Sequence, residues 1–225
     1  MQLDLVDLLR CPAPHDEMPL VCVARSTTGR ELRDATLGCP TCHAEFPVRD
    51  GVAWLGLAAS GPVPAPDAPA PAEAHDVAVE PIALAAMLGL AAPGGTVALA
   101  GSWAFAAPAL AVLVEVSIVV LGADGATLPA PVSVIAGAAG VPLARGALRA
   151  LALALEPAHP GALEGRLAPA GRVVQHGGRL VAPVACALPP SFHELARDDA
   201  WWVAEHRVES PAGSLRRAPR PAAPS

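Results

Sequence analysis

Apolar residues fall in two rhythms along this chain. Near the amino terminus LVCVA, Leu20 to Ala24, alternates in the manner of a strand with one buried face, which makes Cys22 a small core residue. From about residue 76 the runs become longer and uninterrupted. Val77 to Ala91 predicts a helix, stopped by Pro93-Gly94-Gly95. TVALAG predicts a strand, and a helix follows from about Ala104 to Glu115, with Pro108 near its first turn, where a missing amide costs least. SIVVLG, VSVIAG, LRALALAL and, after the turn Gly177-Gly178, RLVAPVACA predict four more strands. Continuous apolar strands alternating with helices predict an α/β fold with a mostly parallel, Rossmann-like sheet covered on both faces.

Between the two regions lies AASGPVPAPDAPAPAEA, a proline-rich run that cannot pair its backbone regularly and predicts an extended spacer. The chain closes on SPAGSLRRAPRPAAPS, which predicts a disordered tail. The expected division is therefore 1–57, a small β unit; 58–75, linker; 76–208, the α/β unit; and 209–225, tail.

Composition modifies this picture little. Of 225 residues, 53% are hydrophobic and 16% charged, and all 15 basic residues are Arg. Absence of Lys, Asn and Tyr reads as a genome-wide bias. A net charge of −6 argues against a nucleic-acid surface, so no nucleic-acid partner is expected. Ile82 to Val114 carries no charge, a run long enough to span a bilayer, but Pro93-Gly94-Gly95, Gly101 and Pro108 interrupt it. A buried strand flanked by helices produces the same run, so membrane association is the lesser alternative. The acidic start MQLDLVDLLR carries no secretory signal. Five cysteines, two of them in CPTC, fit a reducing compartment and a metal site, so a cytoplasmic location is expected.

Candidate chemistry concentrates in LLRCPAPHDEMPL and LGCPTCHAEFPVRDGVAWL. A CxxC turn aims Cys39 and Cys42 at one point, and Cys11 with His15 from a distant loop would complete a tetrahedron around zinc. The alternatives are a decayed site with a free dithiol, His43 in place of His15, or a redox role for CPTC. These stretches resemble the Trm112-like zinc-ribbon family, in which LL-CP-C and a later C-x-x-C precede a phrase like FPVRDGVAWL. Where that family's second cysteine is expected stands Pro14, with His15 one residue on. The resemblance implies zinc and a protein partner, since members of that family activate methyltransferases by binding them.

Residues 76 to 208 resemble a class I S-adenosylmethionine-dependent methyltransferase. RVVQHGGRLVAP, Arg172 to Pro183, matches that family's RVLKPGGRL phrase; VPLARGALRAL, Val141 to Leu151, has the frame of PF-DGSFD with Leu148-Arg149 for Phe-Asp; LARDDAWWVAEHR matches its closing segment. The resemblance places cofactor residues at Gly101 and Asp124, if S-adenosylmethionine is bound at all. Leu99 replaces an acid, Trp103 and Phe105 replace glycines, and Ala138 replaces a second acid. Both rings would plug the cleft. From Asp124 to Pro131 there is no room for a crossover helix, so one covering helix is expected to be missing.

No catalytic set emerges among Glu156, His159, His176 and His193. The reading is a non-catalytic methyltransferase-like protein with a zinc knuckle, acting as a binding or scaffolding partner, with Trp201-Trp202 a candidate contact, at least one of the two being expected in the core or in strand pairing. S-adenosylmethionine is not an expected cofactor. An active methyltransferase with an atypical pocket is the alternative.

Overall fold

The computed structural model describes residues 1–56, 80–122, 128–129, 131–155 and 161–207. The first 56 residues fold as a 3₁₀ turn, Leu3–Leu8, and four strands: β1 Val21–Thr28, β2 Glu31–Gly38, β3 Glu45–Arg49 and β4 Val52–Trp54. The first three pairings among them are antiparallel. The following elements are α1 Pro81–Met87, β5 Thr96–Ala100, a 3₁₀ turn Gly101–Ala106 running into α2 Ala107–Leu113, β6 Ser117–Gly122, β7 Ser133–Ala136 and β8 Leu148–Ala152. The chain continues through α3 Ala162–Leu167, α4 Ala170–Val173, β9 Val174–Pro183, β10 Phe192–Arg197 and β11 Trp201–His206.

All eleven strands form one mixed sheet, in the order β1-β2-β3-β4-β7-β6-β5-β8-β9-β11-β10. Strands β4, β7, β6, β5, β8 and β9 run parallel, and β11 lies antiparallel between β9 and β10. The central order matches a doubly wound sheet: β5 leads to β6 and β7 on one side, and the connection from β7 crosses back to β8 on the other side of β5. Val52, Ala53 and Trp54 pair with Val134, Ile135 and Ala136. The sheet thus passes without a break from the amino-terminal strands into the parallel ones.

Alternation along the buried strands sorts side chains into two cores. Val97 and Leu99 join Leu84, Leu88, Trp103 and Leu110 beneath α1 and α2. Ala98 and Ala100 face the other way, into a cluster with Val119, Leu121 and Ile135 that also holds Met1, Leu5 and Leu9. The amino-terminal turn therefore covers one face of the parallel sheet. Two arginines fix α1. Arg179 donates to the carbonyls of Ala86 and Met87 at its carboxyl end, and Arg149 to those of Gly89, Ala92 and Gly94. Such cations satisfy carbonyls that a helix end leaves unpaired. Arg149 serves this purpose from β8.

Several expected boundaries shift. The helix expected over Val77 to Ala91 is α1, seven residues long, its first expected turn lying outside the described residues. The helix expected from Ala104 begins as a 3₁₀ turn at Gly101. Gly177-Gly178 does not precede β9 but bulges within it: Leu148 pairs with Val174 and Ala150 already with Arg179. The hairpin of β10 and β11 was not anticipated from the apolar pattern. No helix among the described residues is long and apolar enough to cross a membrane.

Candidate metal centre and the switch-point crevice

Four donors meet at one corner of the sheet. Cys11 and His15 lie on the loop after the first 3₁₀ turn; Cys39 and Cys42 lie on the turn between β2 and β3. The backbone sets the second pair: the Cys39 N–H donates to the Ala44 carbonyl and the His43 N–H to the Cys39 carbonyl, with His43 in the left-handed region at φ 58°. The four ligand atoms lie within 4.8 Å of one another. Cys11 Sγ is 3.7 Å from Cys42 Sγ, and Cys39 Sγ is 3.4 Å from His15 Nε2. A zinc tetrahedron with bonds of about 2.3 Å to sulfur and about 2.1 Å to nitrogen has edges of about 3.8 Å (S···S) and about 3.6 Å (S···N). The donor set fits zinc in size and kind.

The histidine is oriented for this role. His15 Nδ1 lies 2.7 Å from the Asp16 carbonyl, which can only accept, so Nδ1 carries the proton and Nε2 turns its lone pair toward the sulfurs. That carbonyl, together with the thiols of Cys42 and Cys39, holds the imidazole pKa above its ordinary value. The thiols are polarised in opposite senses. Burial pushes Cys11 up to about 12. Burial also raises Cys39, but the N–H groups of Cys42 and Thr41 and the thiols of Cys42 and Cys11 outweigh it and bring the pKa down to about 6. His43 is exposed, and the geometric cluster holds His15 instead. Cys22 packs against the core, away from the cluster.

The loop carrying Cys11 and His15 is tied to the parallel sheet. The Arg10 N–H donates to the Pro142 carbonyl and the Ala144 N–H to the Leu8 carbonyl. The Glu17 carboxylate accepts from Arg172 Nη1 at 2.7 Å, from the Arg145 N–H at 3.2 Å and from Arg10 Nε at 3.3 Å. Burial raises the Glu17 pKa, and these donors overcome it and hold the carboxyl below its ordinary value. Sequence reasoning missed Glu17, because its partners at positions 145 and 172 are distant in the chain.

The second candidate site is the crevice where the strand order reverses, between the carboxyl ends of β5 and β8. Open α/β sheets bind ligands there. Here the two chain segments touch. The Ala154 N–H donates to the Ala100 carbonyl. Gly101 has φ +66°, and a Cβ built on it would stand 2.6 Å from the Ala154 carbonyl oxygen. Only glycine fits that backbone and that approach. Trp103 is 1% exposed; its Nε1 donates to the Leu153 carbonyl at 3.1 Å, and its ring meets Trp201 with centroids 4.6 Å apart.

One expectation is corrected. Phe105 does not plug the cleft: its side chain is 75% exposed, because the 3₁₀ turn sends Trp103 and Ala106 inward and Phe105 outward. Of Trp201-Trp202, Trp202 takes the expected core position, and Trp201 is half-buried. Trp202 is fully buried with its Nε1 donating to the Cys186 carbonyl, and the Trp201 ring packs tilted against Trp103. Asp124 lies outside the described residues, as do Glu156 and His159. His176 and His193 are exposed and lie on different strands, β9 and β10. The closing carbonyls of Leu153 and Ala154 were invisible in the sequence, since any residue supplies one.

No family model matches the chain, and no curated protein sequence matches it. Among solved structures it is similar to a protein of Anabaena variabilis proposed as a methyltransferase from an antibiotic biosynthesis pathway, at 18% identity over 48% of this chain and 47% of that one, with a TM-score of 0.39. It is similar to a protein of Methanococcus maripaludis proposed as an S-adenosyl-L-methionine-dependent methyltransferase, at 12% identity over 59% and 85% of the two chains, TM-score 0.41. It is also similar to an antibiotic-resistance methyltransferase, at 15% identity over 57% and 93%, TM-score 0.37. The chain spans about half the length of the first of these. These neighbours in structure are described as methyltransferases, and the likeness is of low identity.

Proposed function

We propose that this chain is a methyltransferase-like protein that does not take S-adenosylmethionine and works as a binding or scaffolding partner of another protein, an active methyltransferase first among them. The observation carrying this reading is the contact of Gly101 with the Ala154 carbonyl, with the Trp103 indole bonded alongside it. A methyl donor seated at the switch point would need that space, and an ordered backbone hydrogen bond occupies it.

Residues 1–57 form the Trm112-like unit in this reading, 58–75 its linker to the Rossmann-like unit at 76–208, and 209–225 a tail. Met1, Leu5 and Leu9 supply apolar cover on one face of the parallel strands. Cys11, His15, Cys39 and Cys42 hold zinc. When bound, the ion supplies a structural cross-link between two loops and no reaction step. His15 Nε2 and three sulfurs are its ligands; Asp16 orients the imidazole; Glu17 locks the loop to Arg172 and Arg145.

Purification of the tagged chain from its own cells tests the proposal, with methyl transfer assayed on the eluate and on the chain alone. The expected result is a co-purifying methyltransferase whose activity rises when the chain is added back. A chain that elutes alone and itself transfers methyl groups would overturn the reading.

A further inference from the structure

The layer formed by α1, the Gly101 turn and α2 buries one side and leaves the other bare. Trp103, Ala106, Ala107 and Leu110 point into the core, at the spacing of one helical face. Phe105 is 75% exposed, Val112 87%, Leu113 50% and, on the adjoining α1, Ile82 63%. From Pro81 to Val114 there is no charged side chain. Val21 and Val23 on the edge strand β1 are also exposed, but charged side chains lie close to them in sequence, among them Arg25, Arg30 and Asp34.

We infer that this face is the contact between two copies of the chain. A surface without charge has nothing to offer a charged partner, and two identical uncharged faces meet without like-charge repulsion. The shape is self-complementary. Phe105 projects at the amino end of the layer, and a depression of about 490 Å³ opens at its other end, lined by Gly94, Gly95, Val112, Leu113, Val116 and Pro131. Eight residues of helix separate knob from groove, about 12 Å. Laying the two α2 helices antiparallel about a twofold axis seats Phe105 of each copy over the groove of the other, the isologous arrangement in which one patch serves both partners. Glu115 stands at the rim of the groove, exposed, and stays in water at the edge of the contact. The apolar side chains leave on the order of 500 Å² per copy, so a pair buries about 1,000 Å², the lower bound for a specific interface.

Sedimentation of the zinc-loaded full chain at tens of micromolar tests this. The wild type is expected at twice the chain mass of 22.6 kDa. Phe105→Arg and Val112→Glu, both at exposed positions, are each expected to run at a single chain mass with unchanged circular dichroism and a melting temperature that no longer rises with protein concentration. Mixed in equal amounts, the two variants are expected to pair again, because Arg at 105 of one copy then meets Glu at 112 of the other. A wild type at single chain mass overturns the inference, whether the face is bare, covered by residues 57–79 or kept for a different protein. So does a dimer that survives both substitutions, or a mixture that fails to pair.

Discussion

The metal corner and the switch-point crevice are both places where the sequence differs from the pattern that its stretch resembles, and the two differences have opposite consequences in the reading proposed above. At the corner a cysteine is replaced by Pro14, yet His15 offers nitrogen one residue later, and Nε2 arrives 3.4 Å from Cys39 Sγ. A ligand set tolerates a change of residue so long as a donor atom reaches the same point. At the crevice Trp103 stands where the methyltransferase resemblance places a glycine, and the volume of the side chain is what counts. In the proposed reading the Ala154 carbonyl, which lies against Gly101, keeps that space closed beside the indole. A site made of atoms survives substitution more readily than a site made of emptiness.

The largest test of this contrast is to remove a donor. Cys39→Ser is expected to abolish zinc retention, measured by elemental analysis after purification without added metal, and to lower the melting temperature by on the order of 10 °C. The wild type should carry about one zinc per chain. His15→Cys should keep that stoichiometry, whereas His15→Ala should weaken binding at least about a hundredfold. Retention of full zinc by His15→Ala would break the first half of the comparison.

Gly101→Ala probes the closed crevice. The new methyl would meet the Ala154 carbonyl at 2.6 Å, from a backbone at φ +66°, and should cost about 2–4 kcal/mol in urea unfolding. A neutral result would mean that the segment after β8 yields easily, and with it the closure. Trp103→Phe keeps most of the buried area but leaves the Leu153 carbonyl without its indole donor, and should cost about 1–2 kcal/mol by the same measurement.

The smallest effect concerns the hairpin that positions Trp201. Asp198 Oδ1 accepts from the N–H groups of Ala200 and Trp201, both at 2.7 Å, and these donors hold its pKa below the ordinary value. A carboxylate depressed in the folded state stabilises it above the unfolded pKa, and that contribution disappears as pH falls through the folded one. The melting temperatures of wild type and Asp198→Ala should therefore differ near neutrality and converge in acid. A gap that widens on acidification would reverse the sign and remove the cap.

Much of the fold was legible from hydrophobic period. Thr96 to Ala100 and Ser117 to Gly122 are uninterrupted apolar runs, and both are central parallel strands. Phe192–Arg197 carries exposed His193, Leu195 and Arg197 on an edge, so its pattern lacked a continuous apolar signal. The metal donors were legible because CxxC fixes two ligands locally and few other arrangements use a third Cys and a His. The junction of the two regions was not. Val52–Trp54 is three residues long, and pairing with Val134 to Ala136 depends on partners some eighty positions away. Nor was Phe105 legible: whether a ring near a turn points in or out depends on the 3₁₀ winding of Gly101–Ala106, which sequence period does not reveal.

Calorimetric titration of the zinc-loaded protein with S-adenosylmethionine tests the closed crevice most directly. The account predicts no heat beyond dilution up to millimolar donor. Saturable heat with micromolar affinity would contradict it.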